Sequence, residues 1–70
     1  MMRTPVRSST LVSVGYDETK QLLEIEFRKN SVYQYSGVPK AVYEQLMAAA
    51  SKGKVFDQRV RDKFRTSRIS

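Results

Sequence analysis

Phe27-Arg28-Lys29-Asn30-Ser31-Val32-Tyr33-Gln34-Tyr35-Ser36-Gly37-Val38-Pro39 reads as the end of one strand, a turn, a second strand and the entry to a helix. Upstream, Leu23, Ile25 and Phe27 alternate with Glu24, Glu26 and Arg28, the period-two pattern of a strand with one face in a core and one in water. Downstream, Val32 to Ser36 is strand-like too. The turn decides where the tyrosines go, because a one-residue change of register moves every side chain to the other face. A two-residue turn at Asn30-Ser31 pairs Arg28 with Tyr33 and leaves both tyrosines on the wet face, open to stacking on bases. A three-residue loop over Lys29, Asn30 and Ser31 pairs Phe27 with Tyr33 and Ile25 with Tyr35 and puts all four in the core. The second arrangement is favoured, because so small a domain needs the aromatic surface and a tyrosine buries on the order of 150 to 250 Å² with its hydroxyl at a wet edge.

Working outward, Leu11 to Tyr16 forms the first strand, with Val12, Val14 and Tyr16 on one face and Leu11, Ser13 and Gly15 on the other. Closing Asp17 to Lys20 as a four-residue loop pairs Val14 with Leu23 and Val12 with Ile25, which joins two apolar faces. The single apolar face of this three-stranded meander needs a cover. Pro39 is tolerated at a first helical position, and Val42, Tyr43, Leu46, Met47 and Ala50 recur at helical spacing. Gly53 suits the left-handed cap that ends this helix. A shorter helix over Val55 to Phe64 is anchored by Phe56, Val60 and Phe64. Its flanks carry the like-charge pairs Arg59 with Lys63 and Arg61 with Arg65, which cost a few tenths of a kcal/mol each and are partly offset by Asp57 against Arg61 and Asp62 against Arg65. The expected fold is α+β: a three-stranded antiparallel β-meander packed against two C-terminal helices. Residues 1–10 form an extended lead-in, residues 11–65 the single domain, and residues 66–70 a flexible tail. Ser8, Ser9 and Thr10 are expected to satisfy backbone groups where the first strand begins.

Seventy residues lie near the lower limit for a domain that folds alone. The chain has neither cysteine nor histidine, which excludes disulfides and zinc sites of the usual kind. It has no apolar leader and no run that could span a bilayer, so a cytoplasmic protein is expected. Thirteen bases oppose seven acids, a formal charge of +6. Residues 51–70 hold seven of those bases and two of the acids. Such polarity favours an anionic partner, nucleic acid first.

Several of these segments together resemble the KTSC domain: Val6-Arg-Ser-Ser9, Gly15-Tyr-Asp17, Leu23-Glu-Ile-Glu-Phe27, Val32-Tyr-Gln-Tyr35, Gly37-Val-Pro39, and Ala50-Ser-Lys-Gly53 through Phe56 to Val60-Arg-Asp-Lys-Phe64. The family is named for its occurrence at the carboxyl end of some lysyl-tRNA synthetases and is also found as small stand-alone bacterial and phage proteins. Its members often carry glycine at the central turn, where this chain has Asn30-Ser31. The resemblance implies an accessory RNA-binding role by association with a tRNA enzyme, and it carries no functional residues over.

No enzyme is expected, because acid and base candidates reduce to carboxylates, lysines and tyrosines. Glu24 and Glu26 share one side of a strand at roughly 7 Å, which suits a solvated polar face better than a catalytic or metal pair. Gly15, Gly37 and Gly53 lie in separate turns and form no phosphate loop. No cofactor and no metal are expected. The first functional expectation is binding of RNA, tRNA included, by a basic C-terminal surface of Lys52, Lys54, Arg59, Arg61, Lys63 and Arg65, with Arg68 from the tail. The alternative is a protein-interaction module in which the outer edge of the first or third strand pairs with a partner or a second copy. Membrane docking is not expected, since neither helix sets a bulky apolar face against a fully basic one.

Overall fold

Thr4–Pro5, Leu11–Asp17, Leu22–Phe27, Ser31–Ser36 and Arg65–Arg68 form strands β1 to β5, and Lys40–Ala48 and Lys52–Arg59 form helices α1 and α2. The structure is a computed structural model and describes all 70 residues. The strands make one antiparallel sheet in the order β1-β2-β3-β4-β5, with both helices inserted between β4 and β5. The sheet therefore has five strands where three are expected. Thr4 and Pro5 pair with Val14 and Ser13, and Arg65 to Arg68 pair with Ser36 to Tyr33. The lead-in and the tail are thus partly sheet, and the edges expected to stay open on β2 and β4 are occupied. Neither segment has a buried face of its own, so the unpaired N–H and C=O groups along those edges recruit them.

The β3–β4 hairpin keeps the expected face but not the expected partners. Ile25 pairs with Tyr33, Leu23 with Tyr35 and Phe27 with Ser31, across the three-residue loop Arg28-Lys29-Asn30. Asn30 adopts a left-handed φ of 62° and its N–H donates to the Phe27 carbonyl at 3.1 Å. A three-residue hairpin loop closes on a left-handed residue, which asparagine tolerates better than serine, so Asn30 takes the last loop position and Ser31 begins the strand. The register moves by two residues relative to the expected one and both tyrosines stay on the core side. Their order there is unequal: Tyr35 is buried and Tyr33 half-buried.

The β2–β3 hairpin shows the same two-residue displacement. Val14 pairs with Ile25 and Tyr16 with Leu23, across a loop of Glu18 to Gln21. Asp17 Oδ1 accepts the Lys20 N–H at 3.2 Å, which holds Asp17 at the strand end and starts the loop one residue later than expected. An irregularity at Val12, between Leu11 and Ser13, adds one residue to β2. This bulge turns Leu11 onto the core face, where it is fully buried, and leaves Val12 half-buried outside the main cluster, the reverse of the expected assignment.

The core gathers Leu11, Val14, Leu23, Ile25, Tyr35, Val38, Leu46, Phe56 and Val60 between the sheet and the helices. Pro39 caps α1 from outside the helix rather than occupying its first position. Ala49 turns extended, so α1 stops at Ala48 and Ala50 is exposed rather than part of the apolar stripe. Gly53 is not the cap of α1 but part of the first turn of α2. A Cβ there would lie 3.0 Å from Thr10 Oγ1, so glycine lets α2 approach the start of β2 closely. α2 ends at Arg59, with the Val60 and Arg61 N–H groups both donating to the Phe56 carbonyl at 2.9 Å, and Asp62 then turns left-handed at φ 60° to launch β5. The expected helix from Val55 to Phe64 is therefore displaced, although Phe56 and Val60 anchor it as anticipated. Tyr16 joins the sheet to α1: its hydroxyl donates to the Val38 carbonyl and its ring stacks on Tyr43 at 4.8 Å and 9°. Burial pushes the Tyr16 phenol pKa up.

The second sheet face is not the open, solvated surface expected from its glutamates. Glu24 is 7% exposed, with Arg3 Nη1 at 2.8 Å from Oε2 and Gln34 Nε2 donating to Oε1 at 2.9 Å. Glu26 Oε1 accepts from the Ser13 hydroxyl at 2.9 Å. The N-terminal arm crosses this face at Gly15, where a Cβ would meet the Met2 carbonyl at 2.9 Å. Neither helix is long and apolar enough to cross a membrane.

Candidate nucleic-acid interface

Where α2, the β3–β4 loop and the approach to β2 meet, two open grooves adjoin along Ser9, Thr10 and Asp57. The first, about 580 Å³, lies between the hairpin and α2. Its walls include Phe27, Tyr33, Tyr35 and Phe56, with Arg28, Lys29 and Arg61 among them. The second, about 530 Å³, runs past the start of α2 and is lined by Arg7, Lys52 and Lys54 together with Ser8, Ser51 and Gly53. Six cations therefore border one concave band, and Asp57 is its sole carboxylate. Cations gathered along a concave, low-dielectric surface reinforce one another's field on an approaching anion.

Local contacts hold this band in shape. The Ser8 hydroxyl accepts the Thr10 and Leu11 N–H groups at 3.1 Å each, as expected for a residue that satisfies backbone donors where the strand begins. Arg28 Nε donates to the Ser8 carbonyl at 2.8 Å and its backbone N–H to the Thr10 carbonyl at 3.1 Å, which ties the hairpin to the segment before β2. Phe56 sits edge-on to Phe27 at 5.2 Å and to Tyr35 at 5.6 Å, seating α2 against the sheet. Arg61 Nη1 lies 3.4 Å from Asp57 Oδ1, an exposed pair that leaves both groups accessible. Lys52 Nζ donates to the Ala49 carbonyl at 2.9 Å. Burial pushes the Tyr35 phenol up to about 12.

Residues 7–64 match the KTSC domain. The chain belongs to the KTSC domain family. Its backbone superposes on the crystal structure of a KTSC domain protein from Yersinia pestis with a TM-score of 0.96 and 43% identity, covering 99% of this chain and 97% of that one. It is 43% identical over 58 residues to an uncharacterised protein of Stutzerimonas stutzeri, which spans 83% of this chain and 82% of that protein. It is also 39% identical over 62 residues to a lysine–tRNA ligase of Nostoc punctiforme, a match that covers 89% of this chain but 11% of the ligase. That last likeness is a likeness of one domain within a much longer protein.

Within this KTSC domain, the sequence-expected basic residues divide into two sets. Lys52, Lys54 and Arg61 line the band. Arg59, Lys63 and Arg65 are exposed but line neither groove. Because α2 ends at Arg59, the helical pairs Arg59–Lys63 and Arg61–Arg65 do not form, and Asp62 makes no ion pair with Arg65; of the expected helical pairs, Asp57–Arg61 persists. Arg68 is not in a loose tail: on β5 its guanidinium lies 5.9 Å from the Tyr33 ring centre and Nε donates to the Ser70 carbonyl at 3.0 Å. Arg7, Arg28 and Lys29 are the members that sequence reasoning missed. The adjacent bases of the hairpin loop were a visible signal, but their nearness to α2 depends on the packing of three separate segments.

Proposed function

We propose that this KTSC domain is a non-enzymatic module that binds nucleic acid, RNA in particular, through the cationic band formed by Arg7, Arg28, Lys29, Lys52, Lys54 and Arg61. The observation that carries the reading is the concentration of charge: six of the chain's thirteen bases and one of its seven acids border two adjoining grooves. Arginines and lysines so arranged bind phosphates and contribute little sequence discrimination. Arg59, Lys63 and Arg65 add to the field around the band without lining it. The matching segment in a protein named as a lysine–tRNA ligase is a reason to test tRNA first. A cytoplasmic setting belongs to the same reading and accords with a chain that uses no cysteine.

The test is binding of nuclease-treated protein to labelled tRNA, single-stranded RNA and duplex DNA. If four of the six cations each neutralise one phosphate, affinity for a single strand falls roughly fiftyfold, and for duplex roughly 150-fold, between about 50 and about 200 mM salt. The triple reversal Lys52→Glu, Lys54→Glu, Arg61→Glu abolishes binding, whereas reversal at Arg59, Lys63 and Arg65 together weakens it less. Absence of binding at the lower salt overturns the proposal and turns attention to a protein partner at the outer edge of β5.

A further inference from the structure

The two halves of the band differ in chemistry. The groove beside α2's first turn is lined by polar and cationic residues, with Ala50 its one apolar member. The groove at the hairpin has four apolar lining residues, all aromatic: Phe27, Tyr33, Tyr35 and Phe56. Tyr35 and Phe56 are buried, while Phe27 and Tyr33 remain half-buried, with the Arg68 guanidinium 5.9 Å from the Tyr33 ring centre. Phe27 and Tyr33 meet edge to face at 5.7 Å and 78°, which presents two ring surfaces at a steep angle to each other. Arg28, Lys29 and Arg61 border this aromatic surface. Although Arg28 Nε is committed to the Ser8 carbonyl, its terminal amino groups are not, and they can reach an anion.

A ligand that satisfies this groove carries a flat apolar group for the rings and negative charge for the cations that line the same groove. A nucleotide has both. An apolar peptide side chain would use the rings and leave the cations without a partner. A phosphate alone would leave the rings exposed. A base within a duplex is stacked on both faces and cannot enter. We propose that the hairpin groove holds one unpaired base of single-stranded RNA against Phe27 and Tyr33, with the flanking phosphates on Arg28, Lys29 and Arg61 and the strand continuing along Lys52 and Lys54. This rests on the RNA-binding reading above and adds to it a preference for unpaired nucleotides. The volume of about 580 Å³ is within the range of about 300 to 1,000 Å³ that small-molecule sites occupy. Base stacking on aromatic side chains is how sequence-tolerant single-strand binders supplement phosphate contacts.

The experiment compares a short oligouridylate with an RNA duplex at one salt concentration, for the wild-type chain and for Tyr33→Leu and Tyr33→Phe. Wild type binds the single strand more tightly than the duplex. Tyr33→Leu loses about five- to 150-fold on the single strand, the range that one base–aromatic contact contributes, and is unchanged on the duplex. Tyr33→Phe retains wild-type affinity. Since Tyr33→Leu can disturb the sheet, chemical shifts of the wild-type Tyr33 and Phe27 ring protons during titration with oligouridylate give a second measurement, and they move upfield as a base covers them. Equal affinity for single strand and duplex, with ring protons unmoved, overturns this inference while the phosphate-binding reading stands. Absence of RNA binding at low salt overturns both.

Discussion

Phe56 is the residue through which α2 and its lysines are seated, and replacing it separates two contributions to that seat. The residue is 6% exposed and its ring lies edge-on to Phe27 and Tyr35 at 5.2 and 5.6 Å. Truncation to alanine removes the burial and opens a cavity, at a cost of about 3 to 5 kcal/mol. Replacement by leucine keeps most of the apolar volume but forfeits two edge-to-face pairs worth roughly 0.5 to 1.5 kcal/mol each, or about 1 to 3 kcal/mol together. A chain of 70 residues has roughly 3.5 to 10 kcal/mol of total stability, so Phe56→Ala is expected to be marginally folded and Phe56→Leu to survive. Urea unfolding followed by far-ultraviolet circular dichroism reads both. With a slope of roughly 1 kcal/mol per molar urea for so small a domain, Phe56→Leu lowers the midpoint by about 1 to 3 M. A cost below about 1 kcal/mol for Phe56→Ala at unchanged slope would refute the argument that Phe56 seats α2. A cost for leucine equal to that for alanine would show that ring geometry, not apolar volume, carries the contact.

Other expectations follow from the turns, the arm and the tyrosines. Asn30→Ala forces a Cβ-bearing residue without a polar side chain into a left-handed turn at φ 62° and costs about 1 to 2 kcal/mol, whereas Asn30→Gly leaves the unfolding midpoint unchanged or raises it. Arg3→Ala leaves Glu24, whose side chain is 9% exposed, with Gln34 as its one remaining side-chain partner. Because Arg3 is itself about a third exposed, the loss falls near the lower end of about 1 to 3 kcal/mol, and adding Glu24→Gln recovers part of it in a double-mutant cycle. The folded-state pKa of Tyr35, about 12, exceeds its unfolded value of 10.0 because burial penalises the phenolate, and Tyr16 is raised for the same first reason. The stability from this difference is fully present below pH 10 and is lost as pH rises toward 12, so both side chains ionise as the fold opens. In a Tyr33→Phe, Tyr43→Phe background, which leaves only these two phenols, tyrosinate absorbance that titrates near pH 10 while circular dichroism stays native would contradict this.

A segment similar to this domain occurs both as most of a small protein and as about a tenth of a lysine–tRNA ligase.

By itself, the sequence determined which residues face the core. Leu23, Ile25 and Phe27 lie on the core side as their alternation with Glu24, Glu26 and Arg28 indicates, Tyr33 and Tyr35 join them across a three-residue loop, and Leu46, Phe56 and Val60 anchor the helices as their spacing requires. Both hairpin registers moved by two residues without disturbing that assignment, since a shift of two preserves the face. Leu11 escaped it because one extra residue at Val12 reverses the alternation, and a bulge leaves no mark in the apolar pattern. Edge strands β1 and β5 were illegible for a related reason: all their residues are exposed, so backbone pairing holds them and side-chain periodicity does not. The cationic band divided likewise, with Lys52, Lys54 and Arg61 visible as part of a basic C-terminal run. Arg7, Arg28 and Lys29 join them only because Gly53 lets α2 approach Thr10 and Arg28 ties the hairpin to Ser8, contacts between segments 20 or more residues apart that tertiary packing alone creates.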